Sequence, residues 1–87
     1  MNKLVFMDDV WFQYLDLHDE DPKVWKRLNR LIRESLRTPF EGTGKPEPLK
    51  ENLSGYWSRR VTKEHRLIYR VKVGALEIIS CVGHYED

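Results

Sequence analysis

The chain has 87 residues, 40% of them hydrophobic, three tryptophans and a formal net charge of +1. That is material for one compact domain over residues 1–87, burying roughly 60–65% of its unfolded surface, and it excludes a second. Four prolines and five glycines are too few for a disordered chain, and no apolar run approaches the roughly 20 residues of a membrane span.

The single cysteine excludes an intramolecular disulfide. Cys81, in the apolar run LEIISCV, suits a buried thiol in a reducing compartment, so the expected location is cytoplasmic, away from membranes. The net charge hides a segregation. Residues 8–21, DDVWFQYLDLHDED, carry six acids and no Lys or Arg, whereas residues 23–72 hold fourteen of the fifteen basic residues against five acids, a local balance of +9. A polyanion complements such a block, and nucleic acid is the commonest in cytoplasm; a solvated helix face with ordinary surface lysines is the plainer alternative.

The opening KLVFM has strand length, and the apolar core of MNKLVFMDDVW is too short for a signal peptide. Asp8 or Asp9 offers an N-cap for a helix through about His18. Asp21 before Pro22 is a second start signal, a capping side chain followed by proline at the first helical position. Val24, Leu28, Leu31, Ile32 and Leu36 then share one helical stripe, and Lys23, Lys26, Arg27, Arg30, Arg33 and Arg37 centre about 180° away. The expected second helix therefore buries one face and shows solvent an almost wholly basic other.

Next comes a loop in which Gly42, Gly44, Pro46 and Pro48 rule out a long helix or a central strand. After it, YWSRRV, HRLIYRVKV and ALEIISCV alternate or run apolar at strand length, with turn signals at TKE and Gly74. Short connections favour an antiparallel meander. The expected fold is α+β, in the order β-α-α-β-β-β, with both helices packed on one face of an antiparallel sheet. Trp11 and Trp57 are expected in the core. The register around RRVTKEHRL stays open, and a slip of one residue would move Arg60 to the opposite face.

Several chemistries fall away. His18, His65 and His84 are far apart, no paired Cys/His spacing or Asp-rich loop accompanies them, and GTGK lacks the spacing of a phosphate-cradling glycine loop. No metal site and no cofactor are therefore expected. What remains is an acid–base set: Glu47 and Lys50 in the loop, Arg59, Arg60 and Arg66 on the strands, and His84 with Tyr85 near the end. Metal-free RNA cleavage needs a base for the 2′-hydroxyl proton, an acid for the departing 5′-oxygen and cations for the phosphorane between them, roles that Glu, His and Arg or Lys can fill. Each residue has an ordinary alternative: Glu47 as an exposed loop acid, His84 as a frayed terminus, the arginines as cover for a half-buried sheet, and Tyr85 as a cap on the core.

The stretch RTPFEGTGKPEPLKENLSGYWSRRVTKEHRLIYRV, with the later CVGHY, closely resembles the YoeB/Txe toxins of the RelE/ParE superfamily, bacterial toxins that cleave messenger RNA on the ribosome. The likeness covers nearly the whole chain. It implies a small α/β domain whose active site lies where the sheet meets the central loop. Carried over by motif, Glu47 of KPEPLK is the general base, His84 of GHY the general acid and Arg66 of EHRL the stabiliser of the phosphorane. Lys50 of PLK and Arg60 of SRR contact phosphate, and Tyr85 positions the substrate, for example by stacking on a base. The implied reaction is attack of the 2′-oxygen on the adjacent phosphorus, without metal.

The resemblance also implies partners: the ribosome and mRNA, a cognate YefM/Axe-like antitoxin with an acidic, partly disordered tail, and operator DNA bound through the toxin–antitoxin complex. Homodimers occur in the family, so self-association stays open. Related alternatives are a RelE-fold protein that binds without cutting, such as a gyrase poison of the ParE type or an antitoxin-binding module, and a plain RNA-binding domain. Close relatives often carry an aromatic before the final His-Tyr and end there, whereas this chain has Gly83 in that place and adds Glu86 and Asp87. The glycine is expected to loosen the backbone beside His84, and the added carboxylates to shift its titration or repel substrate phosphate.

Overall fold

The computed structural model describes residues 3–83; the roles expected of His84 and Tyr85 fall outside that range. The elements are β1 (Lys3–Phe6), α1 (Val10–Glu20), α2 (Pro22–Arg37), β2 (Glu47–Pro48), a 3₁₀ turn (Glu51–Leu53), β3 (Trp57–Arg60), β4 (Arg66–Lys72) and β5 (Ala75–Ser80). The strands form one sheet in the order β1-β5-β4-β3-β2.

Both helices start near the expected signals. The Asp21 carboxylate accepts from the Val24 amide at 3.3 Å with Pro22 in the first turn, an N-cap satisfying a donor that the helix cannot satisfy itself. Asp9 occupies the same position before α1, but its side chain makes no capping bond, and the helix runs two residues past His18. The α2 stripe is as patterned: Leu28, Leu31 and Ile32 are buried, and Val24 and Leu36 pack at the margin of the core.

β3, β4 and β5 form the expected antiparallel meander. β1 joins the free edge of β5 in parallel, Lys3 opposite Ala75 through Phe6 opposite Ile78, so the sheet as a whole is mixed. Two helices and a long loop separate β1 from β3, and nothing as local as a hairpin turn sets the direction of such a connection. At the other edge the two residues of β2 pair with β3, a place where proline is tolerated because no further strand needs its missing donor.

Leu67 and Tyr69 of β4 and Leu76 and Ile78 of β5 meet the apolar faces of the two helices. Trp57 packs at the edge of this core, with its ring 4.7 Å from that of Phe40. Trp11 is a correction: it is 45% exposed and lies beside Phe6 and Tyr14 in a peripheral aromatic group. It sits one helical position from buried Val10, which turns its ring away from the main core.

Cys81 is fully buried, and desolvation pushes its thiol up to about 12. Because the thiolate is the reactive form, the native protein is expected to be inert to a disulfide exchange reagent at pH 8 and to release one equivalent when unfolded. A spectrophotometric thiol titration with and without denaturant checks this.

Candidate active site

Side chains alternate across a strand, so the register assigns faces. Glu47 lies opposite Ser58, Ser58 opposite Ile68, and Arg60 opposite Arg66. Glu47, Ser58, Arg60, Arg66 and Ile68 therefore share the face turned away from the helices. Arg60 and Arg66 are a direct cross-strand pair, with Cβ atoms about 4.5–5.5 Å apart in such a geometry, and Glu47 is the diagonal neighbour of Arg60 at about 7–8 Å. A carboxylate thus stands diagonal to the nearer of two like charges, which cost energy when placed opposite one another and gain it when an anion lies between them.

Arg66 is half-buried, and its Nε, fully shielded from solvent, has no hydrogen-bond partner among the described residues. A buried donor in that condition costs about 1–3 kcal/mol, and an incoming phosphate oxygen would satisfy it. The Arg66 amide donates to the Gly83 carbonyl at 2.9 Å, and the Gly83 amide donates to Nδ1 of His65 at 3.0 Å. His65 must then accept through Nδ1, which in a neutral ring leaves the proton on Nε2. Gly83, expected to loosen this backbone, is instead held by both of its polar groups, at φ 79, in the left-handed region that glycine enters freely. It is the residue immediately before His84.

Lys50 is exposed at the start of the 3₁₀ turn, two residues beyond β2. The loop that delivers Glu47 is fixed to β3 at Gly44, whose carbonyl accepts from the Arg60 amide at 2.7 Å. A Cβ on Gly44 would lie 3.0 Å from the Arg60 carbonyl oxygen, and its φ is 85, so only glycine permits this approach without strain.

Arg59 does not join the other cations. Opposite Leu67, it points toward the helices and is fully buried. The signal was in WSRR: once Trp57 packs inward, a period of two sends Arg59 inward and Arg60 outward. Its guanidinium pairs with Glu34 at 2.6 Å. Burial pushes the Glu34 carboxyl up, but bonds from the Thr43 amide and hydroxyl and the charge of Arg59 outweigh it and hold the group below its usual value. Glu34, Thr43, His65 and Gly83 carried no such signal, because their roles depend on residues distant in sequence.

A second basic surface lies on α2, where Arg27, Arg30, Arg33 and Arg37 line an open groove of about 360 Å³ with Glu34 and Thr43. Arg27 departs from the purely solvated face expected for it, since its Nε donates to the Val61 carbonyl. No helix among the described residues is long and apolar enough to cross a membrane.

Residues 6–85 match the family model for the YoeB-like toxin of bacterial type II toxin-antitoxin systems. The chain is 52% identical over 83 residues to Toxin YoeB of Escherichia coli strain K12, covering 95% of this chain and 99% of that one. Among solved structures, it is similar to a YoeB/ParE toxin from Agrobacterium tumefaciens, with 47% identity and a TM-score of 0.91 over 95% of this chain and 99% of that one. It is also similar to the toxin in two Staphylococcus aureus structures. One is a YoeB-YefM complex (38% identity, TM-score 0.87, covering 98% of this chain and 99% of that one), the other a YoeB dimer (40%, 0.88, covering 97% and 98%).

Proposed function

The chain belongs to the YoeB-like toxins of type II toxin-antitoxin systems, and from that premise we propose that it is a ribosome-dependent endoribonuclease that cuts messenger RNA in the A site without a metal ion. The observation that carries this reading is the register: Glu47 stands diagonal to Arg60 and Arg60 faces Arg66 on one side of the sheet, while the Arg66 amide binds the residue that precedes His84.

In the proposed reaction Glu47 takes the 2′-hydroxyl proton and the 2′-oxygen bonds to the adjacent phosphorus. Arg66 stabilises the charge that builds on the phosphorane, with Arg60 and Lys50 on the phosphate oxygens. The bond from phosphorus to the 5′-oxygen breaks as His84 donates its proton to that oxygen, and Tyr85 holds a base by stacking. A 2′,3′-cyclic phosphate, or the 3′-phosphate from its hydrolysis, and a 5′-hydroxyl result.

The arginine groove on α2 gives the protein a cationic surface for ribosomal RNA, away from the catalytic face. An antitoxin of the YefM/Axe type, as in the S. aureus complex, is the proposed neutralising partner, with operator DNA bound through the pair; a homodimer is proposed on the S. aureus precedent. The proposed setting is the cytoplasm, with residues 1–87 acting as one domain.

Primer extension on a defined message, translated by purified ribosomes with the protein, tests the reading. Chelator is added only to the stopped, assembled complex, since ribosomes need magnesium. Discrete A-site cuts with 5′-hydroxyl ends that persist in chelator are expected. Intact message with unimpaired translation overturns the proposal and redirects attention to gyrase and to antitoxin binding.

A further inference from the structure

We infer that the ion pair between buried Arg59 and half-exposed Glu34, together with Tyr69, is a positioning device that holds the loop of residues 38–46 so that Glu47 enters β2 in register beside Arg60. The inference rests on the reading of Glu47 as the general base. It concerns residues on the helix-facing side of the sheet that touch no substrate.

All five guanidinium donors of Arg59 are used. Nε donates to the Tyr69 hydroxyl at 3.1 Å, Nη1 to Glu34 Oε2 at 2.6 Å and to the Thr43 carbonyl at 3.1 Å, and Nη2 to the Thr38 carbonyl and, at 2.9 Å, to the Glu41 carbonyl. Three of those acceptors are loop backbone. Tyr69 adds a fourth tie by donating its hydroxyl to the Pro39 carbonyl, and Glu34 a fifth and sixth by accepting from the Thr43 amide at 2.9 Å and the Thr43 hydroxyl at 3.1 Å. Residues 38, 39, 41 and 43 are thereby fixed from beneath, and the chain reaches Gly44, bound to the Arg60 amide, and then Glu47, paired with Ser58.

Burying a guanidinium is costly, and a buried ion pair is often no more stabilising than apolar side chains of the same volume. Stability alone therefore gives a weak reason for this arrangement. Geometry gives a stronger one: a loop with two glycines and two prolines in residues 38–46 forms no ladder of its own before β2, and only a planar fork of five donors collects three carbonyls, a carboxylate and a hydroxyl at one point. Lysine, with three donors on a flexible stem, cannot replace it.

The test uses the purified full-length chain with the substitutions Arg59→Lys, Glu34→Ala and Glu34→Gln. Two quantities are measured: amide hydrogen exchange at Thr43 and Arg60 against that in β4 and β5, and single-codon cleavage on programmed ribosomes, resolved into kcat and KM. Arg59→Lys and Glu34→Ala are expected to speed exchange at Thr43 and Arg60 while β4 and β5 keep wild-type protection. Their kcat should fall by roughly 10- to 100-fold, the scale of a misplaced catalytic group, with KM nearly unchanged. Glu34→Gln should rescue both readouts, because its amide oxygen accepts from Arg59 and the Thr43 amide while its NH₂ meets the Thr43 hydroxyl.

If Arg59→Lys fails to fold, Glu34→Ala, at a half-exposed helix position, decides the matter. Faster loop exchange with unchanged kcat in Glu34→Ala overturns the positioning role and leaves the nuclease reading intact. Unchanged exchange and unchanged kcat overturn it as well. Absence of cleavage by the wild-type protein itself removes the nuclease reading and the inference with it.

Discussion

Arg66→Ala is expected to slow cleavage of A-site message by roughly 10²–10³-fold, the loss seen when one preorganised group facing a developing oxyanion is removed, while the protein folds as before. The side chain lies on the sheet face away from the helices and is not part of the apolar core, so its removal leaves no cavity there. It also relieves the repulsion that Arg60 and Arg66 exert across the strand pair. Stability should therefore hold or rise as activity falls, a divergence that a structural role would not produce. Glu47→Ala and His84→Ala should lose about 10²–10⁴-fold through the proton transfers they are proposed to carry. Arg60→Ala should lose less, since the role proposed for Arg66 at the phosphorane is untouched. Single-turnover rates on programmed ribosomes, with circular dichroism and thermal melts of each variant, check these values; a folded Arg66→Ala protein with the wild-type rate would remove Arg66 from the mechanism.

What could be seen in the sequence divides along a physical line. Features set by neighbours in the chain were legible: the Asp21–Pro22 helix start, the apolar stripe from Val24 to Leu36, and the alternating runs that become β3, β4 and β5. Features set by which distant segments meet were not. The parallel pairing of β1 with β5 depends on a long crossover. The clasp of Gly83 by His65 and Arg66 joins residues 17 and 18 apart, and Arg59 collects acceptors from 10 to 25 positions away.

The site divides in the same way. Residue types named the candidate chemistry, and the resemblance chose among alternatives that spacing had left open. By pattern the facing of Arg60 hung on the placement of Trp57 alone, since both Arg59 and Arg60 are long cations able to cover an exposed sheet. The pairing Arg60 opposite Arg66 resolves it and gives the two neighbouring arginines different environments: one buried beneath the loop, one beside Glu47.

Leu67→Ala is expected to destabilise the free protein by about 2–5 kcal/mol, the range for removing a buried leucine and leaving a partly relaxed cavity. Leu67 is wholly excluded from solvent in β4, within the cluster that joins both helices to the sheet. A domain of this size has a total stability of about 5–15 kcal/mol, so the change consumes much of it and should move a urea midpoint far while leaving the slope similar. Val73, fully exposed in the turn between β4 and β5, provides the control: Val73→Ala should stay within about 0.5 kcal/mol. The comparison has to be made on toxin free of antitoxin, because a partner that binds only the folded state adds stability by mass action and would mask the loss. Since Leu67 follows Arg66 directly and faces the other way, the two substitutions separate the sides of one strand: alanine at 67 should cost stability with little direct effect on chemistry, and alanine at 66 the reverse. Equal effects of both substitutions on both measurements would show that the two faces of β4 do not act independently, and would undo the assignment of core to one side and catalysis to the other.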